Sequence, residues 1–226
     1  MIRKKIYGVY GASGFGREVL PFAREYVEKE SDGELFFIDD SFDEKICNGC
    51  EVLSFDAFKK IRAQEKFVSI AIANHNIRRE LAKKCIASGM KNWSLVAPNV
   101  VCLDDVKMGE GVILCPFVTL TSNVRIGSYF HANLYSYVAH DCVIGDYVTF
   151  APHVMCNGNV VIEDDVYIGS GAIIKQGNSK KRPIKIGKGA TIAAGAFITK
   201  NVPDGVTMIG NPARILSRDS LKGKIL

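Results

Sequence analysis

From Val96 onward the chain sets an apolar residue at every sixth position. The series runs Val96, Cys102, Met108, Leu114, Leu120, Ile126, Ala132, Val138, Ile144, Phe150, Cys156, Ile162, Ile168, Ile174, Lys180, Ile186, Ile192 and Ile198, and only Lys180 is not apolar. A second register four residues later is mostly Val, Ala or another small residue, broken at Ser136 and Asn178. Glycine often follows the first position, as in IGSYFH, IGDYVT, IGSGAI and IGKGAT. A period of six matches neither a helix turn nor an alternating strand. It matches short flat strands joined by tight corners and stacked as a β-solenoid. The basic segment NSKKRPIK, residues 178–185, interrupts the count, yet Ile174 and Ile186 remain twelve apart. The segment is therefore expected to replace one hexad by an outward loop without loss of register.

Residues 1–95 carry a different pattern, short apolar runs alternating with amphipathic stretches, which predicts β-α units around a parallel sheet. KIYGVY, ELFFID and FVSIAIA are expected strands. GFGREVLPFAREYVEKE, SFDAFKKIRAQE with Ser54 as N-cap, and NIRRELAKKCIASG ending near Gly89 are expected helices. Pro21 fits poorly inside the first of these and predicts a kink or a displaced start. The expected organisation is an α/β Rossmann-like half domain over 1–95 followed by a solenoid domain over 96–226 with a short C-terminal tail.

The net charge of +5 is mild and dispersed, which argues against a nucleic-acid interface and suits small polyanionic ligands. The NSKKRPIK loop is a secondary candidate for such a ligand, although a basic run is more often a solvated loop. No long apolar run suggests a membrane span, and MIRKKIYGVYGASG lacks the marks of a signal peptide, so a cytoplasmic location is expected. The seven cysteines are scattered, and several occupy inward repeat positions, so they read as small reduced core residues rather than disulfides or metal ligands.

The repeat resembles the hexapeptide-repeat acyltransferases. That resemblance implies a left-handed parallel β-helix with three hexads, roughly eighteen residues, to a coil. Positions eighteen apart then stack, and His140 shares a column with Ser122, Gly158, Gln176 and Ala194. His140 is a third position in its hexad, beyond the inward Val138, and is expected to face outward. Asp141 beside it can accept from one imidazole nitrogen and raise the basicity of the other. Gly158, one coil on, offers a backbone N–H suited to an oxyanion, and Ala194 keeps the column small. A base and an oxyanion donor on one line are the minimum equipment for acyl transfer. A metal-dependent alternative would need converging histidines, and His131, His140 and His153 occupy three different hexad positions. No metal is expected.

GASGFG, Gly11 to Gly16, follows an expected strand and opens an expected helix, the context in which main-chain N–H groups approach a phosphate. It is not a clean GxGxxG, and Asp39 and Asp40 stand about 25 residues on, where an acid reads a ribose or a base edge. With three β-α units, one nucleotide is expected rather than a dinucleotide.

Along essentially its whole length the chain resembles the bacterial nucleotide-sugar acetyltransferases of the sialic-acid O-acetyltransferase and bacillosamine-pathway N-acetyltransferase group. The motifs that carry this are GASGFGRE, FFIDD, AIANHNIR, VAHDCVIGD, CNGNVVI, IGSGAIIKQG and ITKNVPDGVTMIGNPAR. HANLYSYVAHDCVIGDYVTFAP is most similar to enzymes that N-acetylate GDP-perosamine or related 4-amino-4,6-dideoxyhexoses for O-antigen. The resemblance implies acetyl-CoA as co-substrate, His140 as base and Asp141 as the carboxylate behind it. It implies nucleotide-sugar contacts at Gly11, Ser13, Gly14, Phe15, Asp39, Asp40 and Ala73, and an acetyl-CoA groove past Gly158, Ser170 and Ala194. It also implies a homotrimer with its grooves between neighbouring solenoids. Two residues depart from the bacillosamine-pathway pattern: Phe15 and Thr149, the latter near the thioester, stand where that enzyme has histidines. O-acetyl transfer on the same fold and a non-catalytic trimeric scaffold are the alternatives.

Overall fold

The computed structural model describes residues 3–30 and 33–217, in two compact units. One unit runs to Pro98 and includes Glu110–Ile113; the other comprises Asn99–Gly109 and the chain from Leu114 onward.

In the first unit the apolar runs form parallel strands β1 (Arg3–Tyr10), β2 (Gly33–Ile38) and β5 (Ala63–Ile70), with β1 central. Between β2 and β5 lie β3 (Ile46–Cys47), β4 (Cys50–Leu53) and α2 (Phe55–Lys60). Helix α1 (Gly14–Glu28) follows β1, α3 (His75–Ala87) follows β5, and β6 (Lys91–Asn92) pairs with β5. The sheet buries Ile6, Val9, Phe37, Ile38 and Val68. Helix α1 starts where its sequence predicts and continues through Pro21. Pro21 and Arg17 are both exposed, so water reaches the carbonyl that loses its donor.

Helix α2 is shorter than its sequence predicts. Ser54 does cap it, its Oγ accepting from the Ala57 N–H at 3.2 Å, but the helix ends at Lys60. Ala63, Gln64 and Glu65 are strand, because the backbone pairs along β1 in the order Arg3↔Ala63 and Lys5↔Glu65. The β3–β4 hairpin goes unpredicted although its signal is present. Asn48 and Gly49 both take positive φ (49° and 74°), as a two-residue hairpin turn demands. That turn also separates Cys47 from Cys50, so these two cysteines are not scattered, as the sequence reading has them, but form a Cys-x-x-Cys pair of free, buried thiols.

The second unit is a parallel β-solenoid. Its two-residue strands stack in register eighteen residues apart, as in Thr119↔Tyr137↔Met155 on one face and Arg125↔Val143↔Val161 on the next. Leu114, Leu120, Val138, Phe150, Ile162 and Ile174 point inward and are essentially inaccessible. The second register is inward too: Val124, Val148, Val154 and Val166 are fully buried. Ser136 keeps its place there because its Oγ donates to the Ala151 carbonyl and accepts from the Val154 N–H.

Three details of the count are corrected. Val96 belongs to the first unit and is exposed. Cys102 and Met108 are also exposed, because their strands are the edge strands of their sheets and no earlier strand stacks on them. The basic segment adds a hexad instead of replacing one. Beyond it the partners are twenty-four apart, Val160↔Ile184 and Ile168↔Ile192, so one coil has six extra residues.

Nearly every hexad closes on a left-handed corner. Asp105, Phe117, Asn123, Tyr129, Tyr135, Asp141, Tyr147, His153, Asn159 and Asp165 all have φ between 49° and 66°. For residues other than glycine such a corner costs roughly 1–2 kcal/mol. Stacking offsets part of it: Phe117 on Tyr135 (4.8 Å), Tyr135 on His153 (5.0 Å) and Tyr129 on Tyr147 (4.8 Å) form ladders along two corners. Replacing a central inward residue leaves a void between coils that cannot collapse without breaking register. Ile174→Ala is therefore expected to lower unfolding free energy by about 2–5 kcal/mol, read from urea unfolding.

Candidate active site

The third corner, between the face of Tyr137–Val138 and the face of Val143–Ile144, carries His140 and Asp141. Val138 and Ile144 are buried on either side and anchor the corner. The positive φ of Asp141 (61°) turns the chain there and leaves the imidazole outside. Main-chain bonds lock the column: Asp141 N–H donates to the Ser122 carbonyl (3.1 Å), Asn159 N–H to that of His140 (3.0 Å) and Gly177 N–H to that of Gly158 (2.9 Å).

His140 Nδ1 lies 2.9 Å from Asp141 Oδ2. In the neutral ring Nδ1 then donates to the carboxylate, and Nε2 keeps a lone pair for a proton. Nε2 sits over Gly158. A Cβ on that glycine would stand 2.5 Å from Nε2 and 2.6 Å from Cε1, so only a residue without a side chain leaves room for the ring. The other carboxylate oxygen, Oδ1, lies 2.8 Å from Lys180 Nζ. Lys180 foremost, and His140 after it, hold the Asp141 carboxyl below its ordinary range. Lys180 is the residue that breaks the sixfold count, and its pairing with the acid at the corner is a contact that reading the sequence misses.

Not all the predicted groove residues share this corner. The added hexad moves Ala194 out of the His140 column and onto Ser170, whose carbonyl accepts from Gly195 N–H at 2.8 Å. Leu134 and Pro152 precede them in that column, at the corner before the His140 face. Thr149 lies on a third face, nearly buried, in register with His131 and Tyr167. Within one chain, His140 and Gly158 stand together, Ser170 and Ala194 stand together, and Thr149 stands with neither.

The glycine-rich turn is built in the first unit. Gly11 takes φ 101°, and Gly16 packs so closely that a Cβ would lie 1.8 Å from the Gly11 carbonyl. Ser13 is the N-cap of α1, and its side chain makes no capping bond. A Cβ on Gly14 would meet nothing within 4 Å, and Phe15 is half-buried. The two acids are already engaged. Asp39 accepts from Ala12 N–H (2.9 Å) with one oxygen and from Ser41 N–H and Oγ with the other. Asp40 accepts from Phe55 N–H (2.7 Å) and from the Tyr10 hydroxyl (2.9 Å), with Lys84 Nζ at 3.6 Å. Burial pushes the Asp40 carboxyl up, but Phe55, Tyr10 and Lys84 outweigh it and hold it below its ordinary value. The Ala73 carbonyl accepts from Nη1 of the fully buried Arg78, as does that of Ile72, and this stiffens the segment beside Gly11.

Residues 7–85 match the family model described as the PglD N-terminal domain, and residues 159–200 match the hexapeptide repeat of succinyl-transferase. GDP-perosamine N-acetyltransferase of Escherichia coli O157:H7 is 49% identical over 215 residues, which are 94% of this chain and 97% of that protein. This chain belongs to the same family of hexapeptide-repeat N-acetyltransferases. WeeI from Acinetobacter baumannii AYE superposes with a TM-score of 0.90 at 52% identity, covering 94% of this chain and all of that one. The acetyltransferase domain of PglB from Neisseria gonorrhoeae FA1090, solved with acetyl coenzyme A, gives 0.83 at 27% identity over 94% of this chain and 100% of the other. The solenoid of this enzyme is thus the left-handed β-helix of the family, preceded by its α/β half domain. No helix among the described residues is long and apolar enough to cross a membrane.

The Gly158 contact gives a direct test. Gly158→Ala is expected to displace the imidazole and lower acetyl transfer by about a hundredfold. The ring is half exposed and free to swing aside, so the melting temperature should stay within about 2 °C of wild type, by calorimetry.

Proposed function

We propose that the enzyme transfers the acetyl group of acetyl-CoA to the 4-amino group of a nucleotide-linked 4-amino-4,6-dideoxyhexose, GDP-perosamine foremost. The observation that carries this is the His140–Asp141 pair, aimed by its corner over Gly158, in a chain that matches GDP-perosamine N-acetyltransferase along nearly its whole length. His140 Nε2 takes a proton from the sugar amine as nitrogen attacks the thioester carbonyl. A C–N bond forms, the Gly158 N–H steadies the oxyanion, and the C–S bond breaks as the thiolate takes up a proton.

The nucleotide diphosphate is held by main-chain N–H groups at the start of α1, at Ser13 and Gly14, with Gly11, Phe15 and Ala73 alongside. Asp39 and Asp40 serve that site by holding its loops, since their oxygens already accept from Ala12, Ser41, Phe55 and Tyr10. Ser170, Ala194 and Thr149 serve the acetyl-CoA groove. They stand on other parts of the solenoid from His140, so a groove that uses both sets is formed between two copies, in a homotrimer. The setting is O-antigen synthesis in the cytoplasm.

Purified enzyme mixed with acetyl-CoA and GDP-perosamine should release CoA thiol and yield a product acetylated at the C4 nitrogen by NMR. Acetylation of a hydroxyl instead, or no transfer to any 4-amino sugar nucleotide, would overturn the reading. His140→Ala is expected to reduce turnover by about 10²- to 10⁴-fold with the oligomer intact in light scattering. Turnover close to wild type in that variant would remove His140 as the base.

A further inference from the structure

The six residues added to one coil lie beside the reactive corner. Asn178 N–H donates to the Arg182 carbonyl (3.1 Å) and Arg182 N–H to that of Ser179 (2.9 Å), so the segment is a closed hairpin with Lys180 and Lys181 at its tip. Its return is tied to Asn159, whose carbonyl accepts from Ile184 N–H at 3.2 Å. Gly177, at the outgoing side, packs so tightly that a Cβ would lie 2.2 Å from the same carbonyl. Asn159 stacks one coil from Asp141 in the corner column. The hairpin is thus rooted one coil away from the acid that Lys180 reaches.

We infer that Lys180 is a positioning residue for the transfer reaction, clamping the second oxygen of Asp141 so that the first keeps the His140 ring aimed. The inference rests on His140 being the base. Without Lys180 the carboxylate has one directed partner on the ring side and none on the other, and rotation about its side-chain torsions releases the imidazole. The same cation also draws charge away from the ring. The groups that face Asp141 are His140 and Lys180 in contact, and Asp105 and Arg125 across a cavity of about 300 Å³ that Asp141 and Lys180 also line. Asp105 and Arg125 are paired to each other at 2.7 Å, which leaves Lys180 as the cation directed at Asp141 among the described residues. Both lowering influences on the Asp141 carboxyl, Lys180 before His140, agree with this arrangement.

Removing the cation leaves the full carboxylate charge facing the ring, which favours the imidazolium; the ring then loses its proton at higher pH, and the acid limb of the rate profile moves up. Lys180→Met and Lys180→Arg are assayed for kcat and KM between about pH 5 and 9 with acetyl-CoA and GDP-perosamine, alone and in an Asp141→Asn background. Lys180→Met is expected to lower kcat about three- to tenfold, with KM for both substrates within about twofold and the acid limb raised by about half a unit. Lys180→Arg should restore both, and in Asp141→Asn the Lys180→Met change should have no further effect.

A wild-type profile in Lys180→Met, a loss of kcat without the pH displacement, a loss that persists in full in Asp141→Asn, or a change confined to the acetyl-CoA KM overturns the proposal. An active His140→Ala enzyme overturns both this proposal and the reading beneath it. An inactive His140→Ala with an unshifted Lys180→Met profile overturns the clamp alone.

Discussion

Everything in the solenoid depends on a backbone turn with positive φ that recurs in nearly every hexad. The corner ends one two-residue strand, begins the next and returns an inward side chain to the axis every sixth residue. Few side chains accept that conformation cheaply, and the chain meets the demand differently at its three corners. Glycines and stacked aromatics fill two of them apart from Asp165; the third runs Asp105, Asn123, Asp141, Asn159, residues whose short polar side chains tolerate the left-handed region. The acid behind His140 is thus of a residue type that the corner favours on backbone grounds. The side chain that meets His140 Nδ1 is already placed by the fold.

The first unit works by the opposite means. There the polar side chains near the glycine-rich turn are spent on the protein itself: Asp39 on Ala12 and Ser41, Asp40 on Tyr10 and Phe55, and Arg78 on the carbonyls of Ile72 and Ala73. What they hold still is main chain. A turn in which Gly16 nearly touches the Gly11 carbonyl presents backbone N–H groups at a fixed angle, and the side chains around it supply rigidity.

How much of this is legible in the sequence follows from how local each determinant is. The inward series from Leu114, the outward placement of His140 and the stacking of Gly158 on it all depend on one fixed count, and the structure agrees with each. The count fails where the geometry is no longer uniform. Cys102 and Met108 are apolar at the right interval but lie in edge strands, and burial there depends on a neighbour that a period does not describe. Ala194 is misplaced because an interval of twelve between Ile174 and Ile186 is equally consistent with a hexad exchanged and a hexad added. The end of α2 at Lys60 was set by the pairing of Ala63 with Arg3, a contact sixty residues away in the chain. The Asn48–Gly49 hairpin, by contrast, is a local signal, written plainly in two residues.

A stack of identical coils is a stubborn scaffold, since any change in an inward residue is felt by the coils on both sides. The hairpin of residues 178–183 shows where such a scaffold is nonetheless editable. It leaves at Gly177 and returns at Ile184, and the strands on either side close as though it were absent. Chemistry can therefore enter this fold by insertion, with no substitution in the core. A relative that shortens or recharges that hairpin keeps the same solenoid and the same histidine, and changes only the charge set beside Asp141.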